Sequence, residues 1–408
     1  MGMFDRSSLV FEDAMVLDEE YLPDDIRERD EELEKYRRAL QPVIDNRPFS
    51  NIFVYGKTGT GKTVATRYIL DHLQKDAARY DDLDLSVVWV GCENLNTSYQ
   101  VALSLVNELR SGERINPGYS QQAVFEMLYD ELDAIGGTVI IVLDEIDNIG
   151  ANDDILYGIP RARANGYVEN CRPLVIGISN DFQFKDRLSP KVRDTLCESE
   201  ILFPPYDATE LKSILRPRAE MAFIDGVLKE GVVPLCSAYA AQDTGSARQA
   251  LRLLYLAGKN ASDNDDEIIT DSHVRAAKED LDESKVFEGM EKLTTQGHAV
   301  LLSLVSFATT DNTPVRTRDI HSRYKTIAQK VGIDTIVNRR VRAHLSDLSM
   351  IGLIETNQQN EGGNSGRYNE YELKVPLQKT LEVLGDDPRF AEIVETFREQ
   401  ALDNQQMS

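Results

Sequence analysis

The chain has 408 residues, enough for two or three domains, and its hydrophobic content of 41% is ordinary for a globular protein. No apolar run reaches the ~18 residues of a membrane-spanning helix, and the N-terminus lacks the pattern of a secretory signal, so we expect a cytoplasmic protein without a membrane partner. The formal net charge is −24, and this excess of acid taken alone argues against nucleic acid as a ligand.

The acidic residues and the cysteines indicate the environment in which the protein works. Pairs of adjacent Asp recur along the chain, and 29 Arg outnumber 16 Lys. This combination resembles the proteins of salt-loving organisms, whose acidic surfaces keep them soluble in molar salt; the alternative is an ordinary acidic cytosolic protein. The cysteines show no C-x-x-C spacing, which predicts reduced thiols rather than a zinc site or a disulfide framework. They are Cys92, Cys171, Cys197 and Cys236.

Strands and helices alternate through the first half of the chain. Residues 1–50 are polar and acidic, with a helical stretch near 25–44. Near-continuous apolar runs then recur with helical segments between them, an order typical of a parallel sheet covered by helices on both faces. We therefore predict an α/β core over residues 1–206. Its strands are expected at 51–55, 86–91, 138–143, 173–178 and 201–203.

The first strand runs directly into the string G-x-x-x-x-G-K-T, which is the phosphate-binding P-loop. Its glycines let backbone N–H groups turn inward around a polyphosphate, and the following helix points its positive end at the same phosphates. Lys62 can reach the β- and γ-phosphates, and the Thr63 hydroxyl can ligate Mg²⁺. The residues expected to surround the phosphates are Gly56, Lys57, Thr58, Gly59, Thr60, Gly61, Lys62 and Thr63.

Two later strands end in polar residues that complete a nucleotide site. The strand at 138–143 delivers Asp144 and Glu145 to its carboxyl end, where ligands of open α/β sheets bind. Asp144 would hold Mg²⁺, and Glu145 would polarise an attacking water. Asn180 follows the strand at 173–178, where its amide can bind the γ-phosphate or that water; the alternative is a turn cap.

Cations after these strands are candidates for sensing or stabilising phosphate charge. One of Arg187, Lys191 and Arg193 can serve as an arginine finger toward the phosphate of a neighbouring subunit, with Arg193 the first choice and a solvated basic loop the alternative. Residues 207–285 lose all strand signal and read as an all-α lid domain. There Arg248 opens a helix from which a cation can fold the lid onto the nucleotide.

The remaining residues, 286–400, combine a basic island with a winged-helix pattern. Residues 312–345 hold eight Lys or Arg against two Asp in a chain that is otherwise acidic. Residues 320–331 and 335–348 read as the two helices of a helix-turn-helix, followed by a β-hairpin wing across 352–373. The residues expected to contact double-stranded DNA are Arg339, Arg340, Arg342 and Arg367. The alternative is a protein-interaction domain with a solvated basic face.

Together these motifs resemble those of an AAA+ ATPase. Their residues are similar to those of the archaeal replication initiators of the origin-recognition/cell-division-control type. The resemblance covers residues 7–395 and rests on the motifs YGKTGTGKT at 55–63, LDEID at 143–147, IGISND at 176–181, LSPKVR at 188–193, FPPY at 203–206 and GSARQAL at 245–251. It implies an AAA+ core with a parallel sheet, an all-α lid and a C-terminal winged helix, with ATP or ADP and Mg²⁺ as cofactors.

The resemblance also implies roles for residues that the motifs alone do not explain. Members of this family carry a His-Arg pair that contacts adenine before the first strand; here Glu28 replaces the His, and Arg29 is left to contact the nucleotide. The resemblance places Tyr206, from the motif that follows the last strand, at the nucleotide too. Asp194 and Thr195 replace the small Ser pair that usually follows the candidate finger Arg193.

The sequence as a whole predicts an ATP-dependent replication initiator that binds origin DNA and helps to recruit or load the replicative helicase. We expect a weak ATPase that acts as a nucleotide switch, self-associates on DNA and lies on the nucleoid. The alternative is a signalling or regulatory AAA+ ATPase, or a paralogue that fires no origin, whose winged helix serves transcription control or a protein partner.

Overall fold

The computed structural model describes residues 10–19, 21–110, 112–150, 153–360 and 367–407, and for residues 360, 367 and 403–407 it describes the backbone alone. Between Ala277 and Lys278 the chain divides into two compact units. Within the described residues no helix is long and apolar enough to cross a membrane. All four cysteines are free thiols, as predicted, and only Cys197 is partly exposed.

The first unit is built on a five-stranded parallel sheet, which confirms the predicted α/β core. Its strands are β1 (Ile52–Gly56), β2 (Leu85–Gly91), β3 (Gly137–Asp144), β4 (Cys171–Ser179) and β5 (Ser199–Phe203). They lie in the order β2-β3-β4-β1-β5, and every pair is parallel. β1 and β3 are aliphatic and almost fully buried, as strands covered on both faces must be. Gly56, Asp144 and Ser179 therefore end neighbouring strands at one edge of the sheet.

Helices cover both faces of this sheet. They are α1 (Asp30–Ile44), α2 (Lys62–Ala77), α3 (Ser98–Leu109), α4 (Gln121–Ile135), α5 (Asp154–Arg161), α6 (Phe184–Arg187) and α7 (Pro190–Leu196). One apolar cluster joins α1 and α2 to the sheet, and another joins α3, α4, α5 and α7 to its other face. α1 begins at Asp30 rather than near residue 25, because Glu28 has a φ of +59°, a left-handed conformation that a helix cannot contain.

The helices that follow β5 form the predicted all-α region. They are α8 (Ala208–Ala222), α9 (Val232–Asp243), α10 (Ala247–Asp263) and α11 (Asp271–Glu291). Pro204 and Pro205 end β5, and Asp207 with Glu210 forms a complete capping box at the start of α8. A 3-10 turn from the N-terminal segment, Ala14–Leu17, packs against α8 and α10.

The second unit has the winged-helix architecture that the sequence predicts. It contains α12 (Thr295–Ala308), β6 (Val315–Arg316), α13 (Thr317–Val331), α14 (Asn338–Ile351), β7 (Ile354–Asn360), β8 (Arg367–Leu373), α15 (Leu377–Gly385) and α16 (Ala391–Met407). An antiparallel sheet in the order β6-β8-β7 forms the wing, and one apolar core is shared by α12, α13, α14 and α15. Residues 361–366, which fall within the predicted wing, lie outside the described residues.

The turn between α13 and α14 is longer than the sequence predicts. Gly332 caps the end of α13 with a φ of +72°, and the N–H of Ile333 then bonds to the carbonyl of Ala328. The hydroxyl of Tyr324 accepts the N–H of Ile336 at 3.2 Å, which holds the next residues outside a helix. α14 therefore begins at Asn338 instead of at residue 335.

Candidate nucleotide and nucleic-acid sites

A cavity of about 320 Å³ opens at the carboxyl ends of the strands in the first unit. Its volume lies at the lower end of the range for small-molecule sites, ~300 to 1,000 Å³. The P-loop, the segment before α1 and the helices α8 and α10 supply its walls. The polar ends of β3 and β4 also open into it, so the residues that the sequence predicts for a nucleotide site come together here.

The P-loop closes tightly against the lid at Gly59 and Gly61. Their φ angles are +77° and +91°, which a side chain would strain. A Cβ on Gly59 would lie 1.9 Å from the hydroxyl of Ser246, and one on Gly61 would lie 2.7 Å from the hydroxyl of Tyr206. The carbonyl of Gly59 also accepts the N–H of Ala247 at 2.9 Å. The lid thus bonds directly to the loop that would hold phosphate.

Lys62 is buried at the centre of the site. Its ammonium donates to the carbonyls of Gly56 at 2.9 Å and Lys57 at 2.8 Å, and to the Asn180 side-chain oxygen at 2.8 Å. Burial lowers the pKa of Lys62 from 10.5 to about 8, although the nearby Asp144 carboxylate opposes the change. These three acceptors hold the ammonium in place beside the P-loop.

Thr63 and Asp144 form a pair of oxygen ligands. The Thr63 hydroxyl donates to Asp144 Oδ2 at 2.9 Å, and the other carboxylate oxygen accepts the N–H of Glu145. Burial raises the pKa of Asp144, and the Thr63 hydroxyl is the main influence against that rise. A hydroxyl beside a carboxylate is the hard, oxygen-only donor set that suits Mg²⁺.

Glu145 and Asn180 meet in the same cavity. Glu145 has a φ of +58°, a strained position that ends β3 and turns its carboxylate toward Asn180. The Asn180 amide donates to Glu145 Oε1 at 3.2 Å, while its oxygen accepts from Lys62. Burial raises the pKa of Glu145, and the Asp144 carboxylate raises it further. Asn180 therefore links the P-loop lysine to the acid that the sequence predicts as the water-polarising residue.

Arg29 lies beneath the P-loop instead of in the cavity. It is 2% exposed, and it donates to the carbonyl of Thr60 from Nε at 3.1 Å and from Nη2 at 3.0 Å. Nη2 also donates to the carbonyl of Pro204 at 2.7 Å, and the guanidinium carbon lies 3.5 Å from the ring centroid of Tyr206. Arg29 thereby joins the P-loop to the end of β5. Tyr206 itself lines the cavity, and burial raises its pKa to about 12.

Arg248 reaches the cavity from the start of α10. It is exposed, and its Nε lies 2.9 Å from the carboxylate of Glu19, a residue of the N-terminal segment. Both side chains line the cavity near the P-loop. The structure thus brings the predicted lid cation to the site and pairs it with an acid that the sequence did not single out.

The three candidates for an arginine finger differ in their partners. Arg187 pairs with Asp181 at 2.8 Å, and Lys191 lies 3.7 Å from Asp154 and over the ring of Tyr157. Arg193, in α7, is exposed and has no carboxylate within 4 Å among the described residues. None of the three lines the cavity.

The winged helix carries a separate cationic face. Arg339, Arg340 and Arg342 are exposed on the first turns of α14, and among the described residues none has a carboxylate within 4 Å. Buried Val341 and Leu345 alternate with them, because the opposite face of the helix packs into the core. Arg367 begins β8, but its side chain lies outside the described residues.

Tyr21 and Arg218 are among the residues that line the nucleotide cavity and that sequence reasoning missed. One signal was available for Arg218. Its helical spacing from Leu211, Leu215 and Ala222 places it on the buried face of α8, where a charged side chain is rare.

Comparison with known proteins agrees with this architecture. Models of three families match the chain: an AAA domain over residues 47–176, a Cdc6 AAA+ ATPase-type lid domain over 212–279 and a CDC6 C-terminal winged helix domain over 288–383. The chain is 49% identical over 406 residues to "ORC1-type DNA replication protein 15" of Haloarcula marismortui, covering 99% of each chain. It is 48% identical to "ORC1-type DNA replication protein 10" of Halobacterium salinarum, with 95% of this chain and 94% of that protein covered.

A solved structure supports the same relationship. The chain is similar to the Aeropyrum pernix ORC1 protein, whose structure was determined in complex with DNA. The TM-score is 0.76 and the sequence identity 33%, with 95% of this chain and all of the other chain covered.

Proposed function

This chain belongs to the family of ORC1-type DNA replication proteins, and on that basis we propose that it is an ATP-dependent initiator that binds origin DNA and helps to recruit the replicative helicase. The observation that carries the proposal is the face of three exposed arginines on α14, the second helix of the helix-turn-helix, in a chain whose net charge is −24. In this motif the early residues of the second helix enter the major groove.

The nucleotide half of the proposal rests on Lys62 and the residues that hold it. The polyphosphate of ATP or ADP would bind to the backbone N–H groups of residues 56–63, with the Lys62 ammonium beside it. Thr63 and Asp144 would hold Mg²⁺, which supplies charge neutralisation at the phosphates when bound. Arg248 would exchange Glu19 for phosphate, because both are anions and the guanidinium lies at the mouth of the same cavity.

In this proposal ATP acts as a switch, and slow hydrolysis of ATP would reset it. Glu145 would orient and polarise the attacking water, and Asn180 would transmit the phosphate state because it bonds to both Glu145 and Lys62. Arg193 is the best candidate to act on the phosphate of a neighbouring copy, since it is exposed and free of carboxylates among the described residues. This role requires self-association on DNA.

The DNA half is tested by charge reversal. Changing Arg339, Arg340 and Arg342 together to Glu is expected to weaken binding to duplex origin DNA by about a hundredfold or more, because each lost contact also becomes a repulsion. The control changes Arg38, Lys75 and Arg79 to Glu, which alters the net charge equally at exposed cations of the first unit. Equal losses in both variants would assign the effect to net charge and refute the site.

The nucleotide half is tested with Lys62→Ala, which should abolish ATP binding. A variant that binds ATP as tightly as the wild type would refute this site.

Mapping of the protein along the genome separates initiation from the alternative. Sharp peaks at replication starts would support the proposal, and peaks at promoters would support a regulatory paralogue.

A further inference from the structure

The nucleotide cavity is also lined by one face of α8, which no part of the proposed phosphate site uses. This face carries Ile214, Pro217, Arg218 and Met221. Three of these side chains are apolar, and Val64, Ile26 and Leu251 line the same cavity from other elements. A nucleotide whose phosphates lie in the P-loop would place its flat base against these apolar walls.

Arg218 is the exception on this wall. It is 7% exposed, and its Nε has no hydrogen-bond partner in the part of the chain that the structure describes. Within the described residues, Ser189 Oγ is the only other buried side-chain N or O atom that lacks a hydrogen-bond partner. An unpaired buried donor costs ~1 to 3 kcal/mol, and more when it is charged, so such a group calls for a ligand.

Tyr21 holds the guanidinium of Arg218 in place. The guanidinium carbon lies 4.2 Å from the centroid of the Tyr21 ring, so one face of the planar group is covered and its edge remains for hydrogen bonding. No carboxylate lies within 4 Å of Arg218 among the described residues. Burial lowers the pKa of Arg218, which is what a guanidinium without an anionic partner experiences.

We propose that Arg218 is a base-recognition residue: an N–H of its guanidinium donates a hydrogen bond to a ring nitrogen of a bound purine. A guanidinium has donors only, so its partner must be an acceptor, and the free nitrogens of a purine ring are the acceptors that a base presents. The apolar walls fit the faces of the ring, and Arg218 with Tyr21 fits its edge. Arg29, by contrast, gives its donors to backbone carbonyls. The inference rests on the proposed binding of ATP.

The test compares ATP with inorganic tripolyphosphate, which has no base. Arg218→Met should weaken ATP binding by about tenfold to a hundredfold, the range expected for one hydrogen bond from a charged donor, and leave tripolyphosphate binding within about twofold. Arg216→Met is the matched control, because Arg216 is exposed on the same helix and does not line the cavity. Equal losses for ATP and tripolyphosphate would make Arg218 a phosphate ligand and overturn the inference.

A second measurement varies the base of the nucleotide. Analogues of ATP in which one ring nitrogen is replaced by carbon, at position 1, 3 or 7, are compared on the wild-type protein. One of them should lose about tenfold or more in affinity, and Arg218→Met should bind that analogue and ATP equally. If all three bind like ATP, the base contact is refuted. If the wild type binds no ATP at all, the proposed function fails first.

Discussion

Replacing Arg29 by Met should destabilise the first unit by about 3 kcal/mol, although Arg29 does not itself line the cavity. The side chain is 2% exposed and is the link between the P-loop and the end of β5. Met keeps much of the volume but removes every donor. The carbonyls of Thr60 and Pro204 would each lose a hydrogen bond from a charged group, worth ~1.5 to 3 kcal/mol apiece. Loss of the contact with the Tyr206 ring adds up to ~2 kcal/mol to this destabilisation. Removing a buried charge offsets several kcal/mol of it.

Urea denaturation followed by tryptophan fluorescence measures this change directly. The chain has one Trp, Trp89, which lies in β2, so the signal reports on the sheet of the first unit alone. The control is Arg38→Met, because Arg38 is 73% exposed on α1 and should change the free energy of unfolding by less than ~0.5 kcal/mol. If Arg29→Met unfolds at the same urea concentration as Arg38→Met, the carbonyl contacts of Arg29 do not stabilise the fold and the reasoning is wrong.

Three further predictions concern the lid, the thiols and the surface charge. Gly59→Ala should lower ATP affinity about tenfold or more, because the added Cβ would meet the Ser246 hydroxyl at 1.9 Å and push the lid away from the P-loop; nucleotide titration measures it. Burial raises the pKa of all four thiols from 9.0 to about 12, so labelling by a thiol reagent should be slow in the native protein. Above pH 9.0 only unfolded chains ionise these thiols, and the free energy of unfolding should fall as the pH rises toward about 12. The melting temperature should be higher in ~2 M KCl than in ~0.1 M, because salt screens the repulsion within a chain of charge −24.

Gly59→Ala has a matched control, Gly166→Ala. Gly166→Ala has the same backbone strain, with a φ of +74°, but its Cβ meets nothing within 4 Å. Equal effects of the two alanines on ATP affinity would exclude the clash with the lid. Fast labelling of Cys92 or Cys236 in the native protein would contradict their burial. A melting temperature that falls with added KCl would remove the salt-adapted interpretation of the surface.

The parts of the structure that the sequence predicts are those whose physical cause is local. Aliphatic runs such as 138–143 have to be covered on both faces, and the glycines of the P-loop have to adopt backbone angles that other residues resist. Polar residues directly after such strands, Asp144 and Asn180, then have only one edge of the sheet at which to meet. The alternation of exposed arginines with buried Val341 and Leu345 is local as well.

The parts that could not be predicted depend on contacts between distant residues. The late start of α14 follows from the bond between Tyr324 and Ile336, and periodicity contains no information about it. The sequence motif assigns Arg29 to the nucleotide, but in the structure Arg29 donates to the carbonyl of Pro204, 175 residues away. Arg218 is at the site because α8 packs beside the N-terminal segment that carries Tyr21.

The segregation of charge would allow so acidic a chain to bind DNA as proposed. A body of charge −24 repels phosphate over the Debye length, ~10 Å at 0.1 M salt but only ~3 Å at 1 M. In molar salt the acidic surface is therefore no barrier, but long-range attraction by Arg339, Arg340 and Arg342 is screened to the same extent. These arginines would then act at contact range, through hydrogen bonds to base edges and phosphates in a groove that fits α14. Rigid placement on a helix packed through Val341 and Leu345 serves such contacts better than a mobile basic tail would, because little backbone entropy remains to be lost on binding.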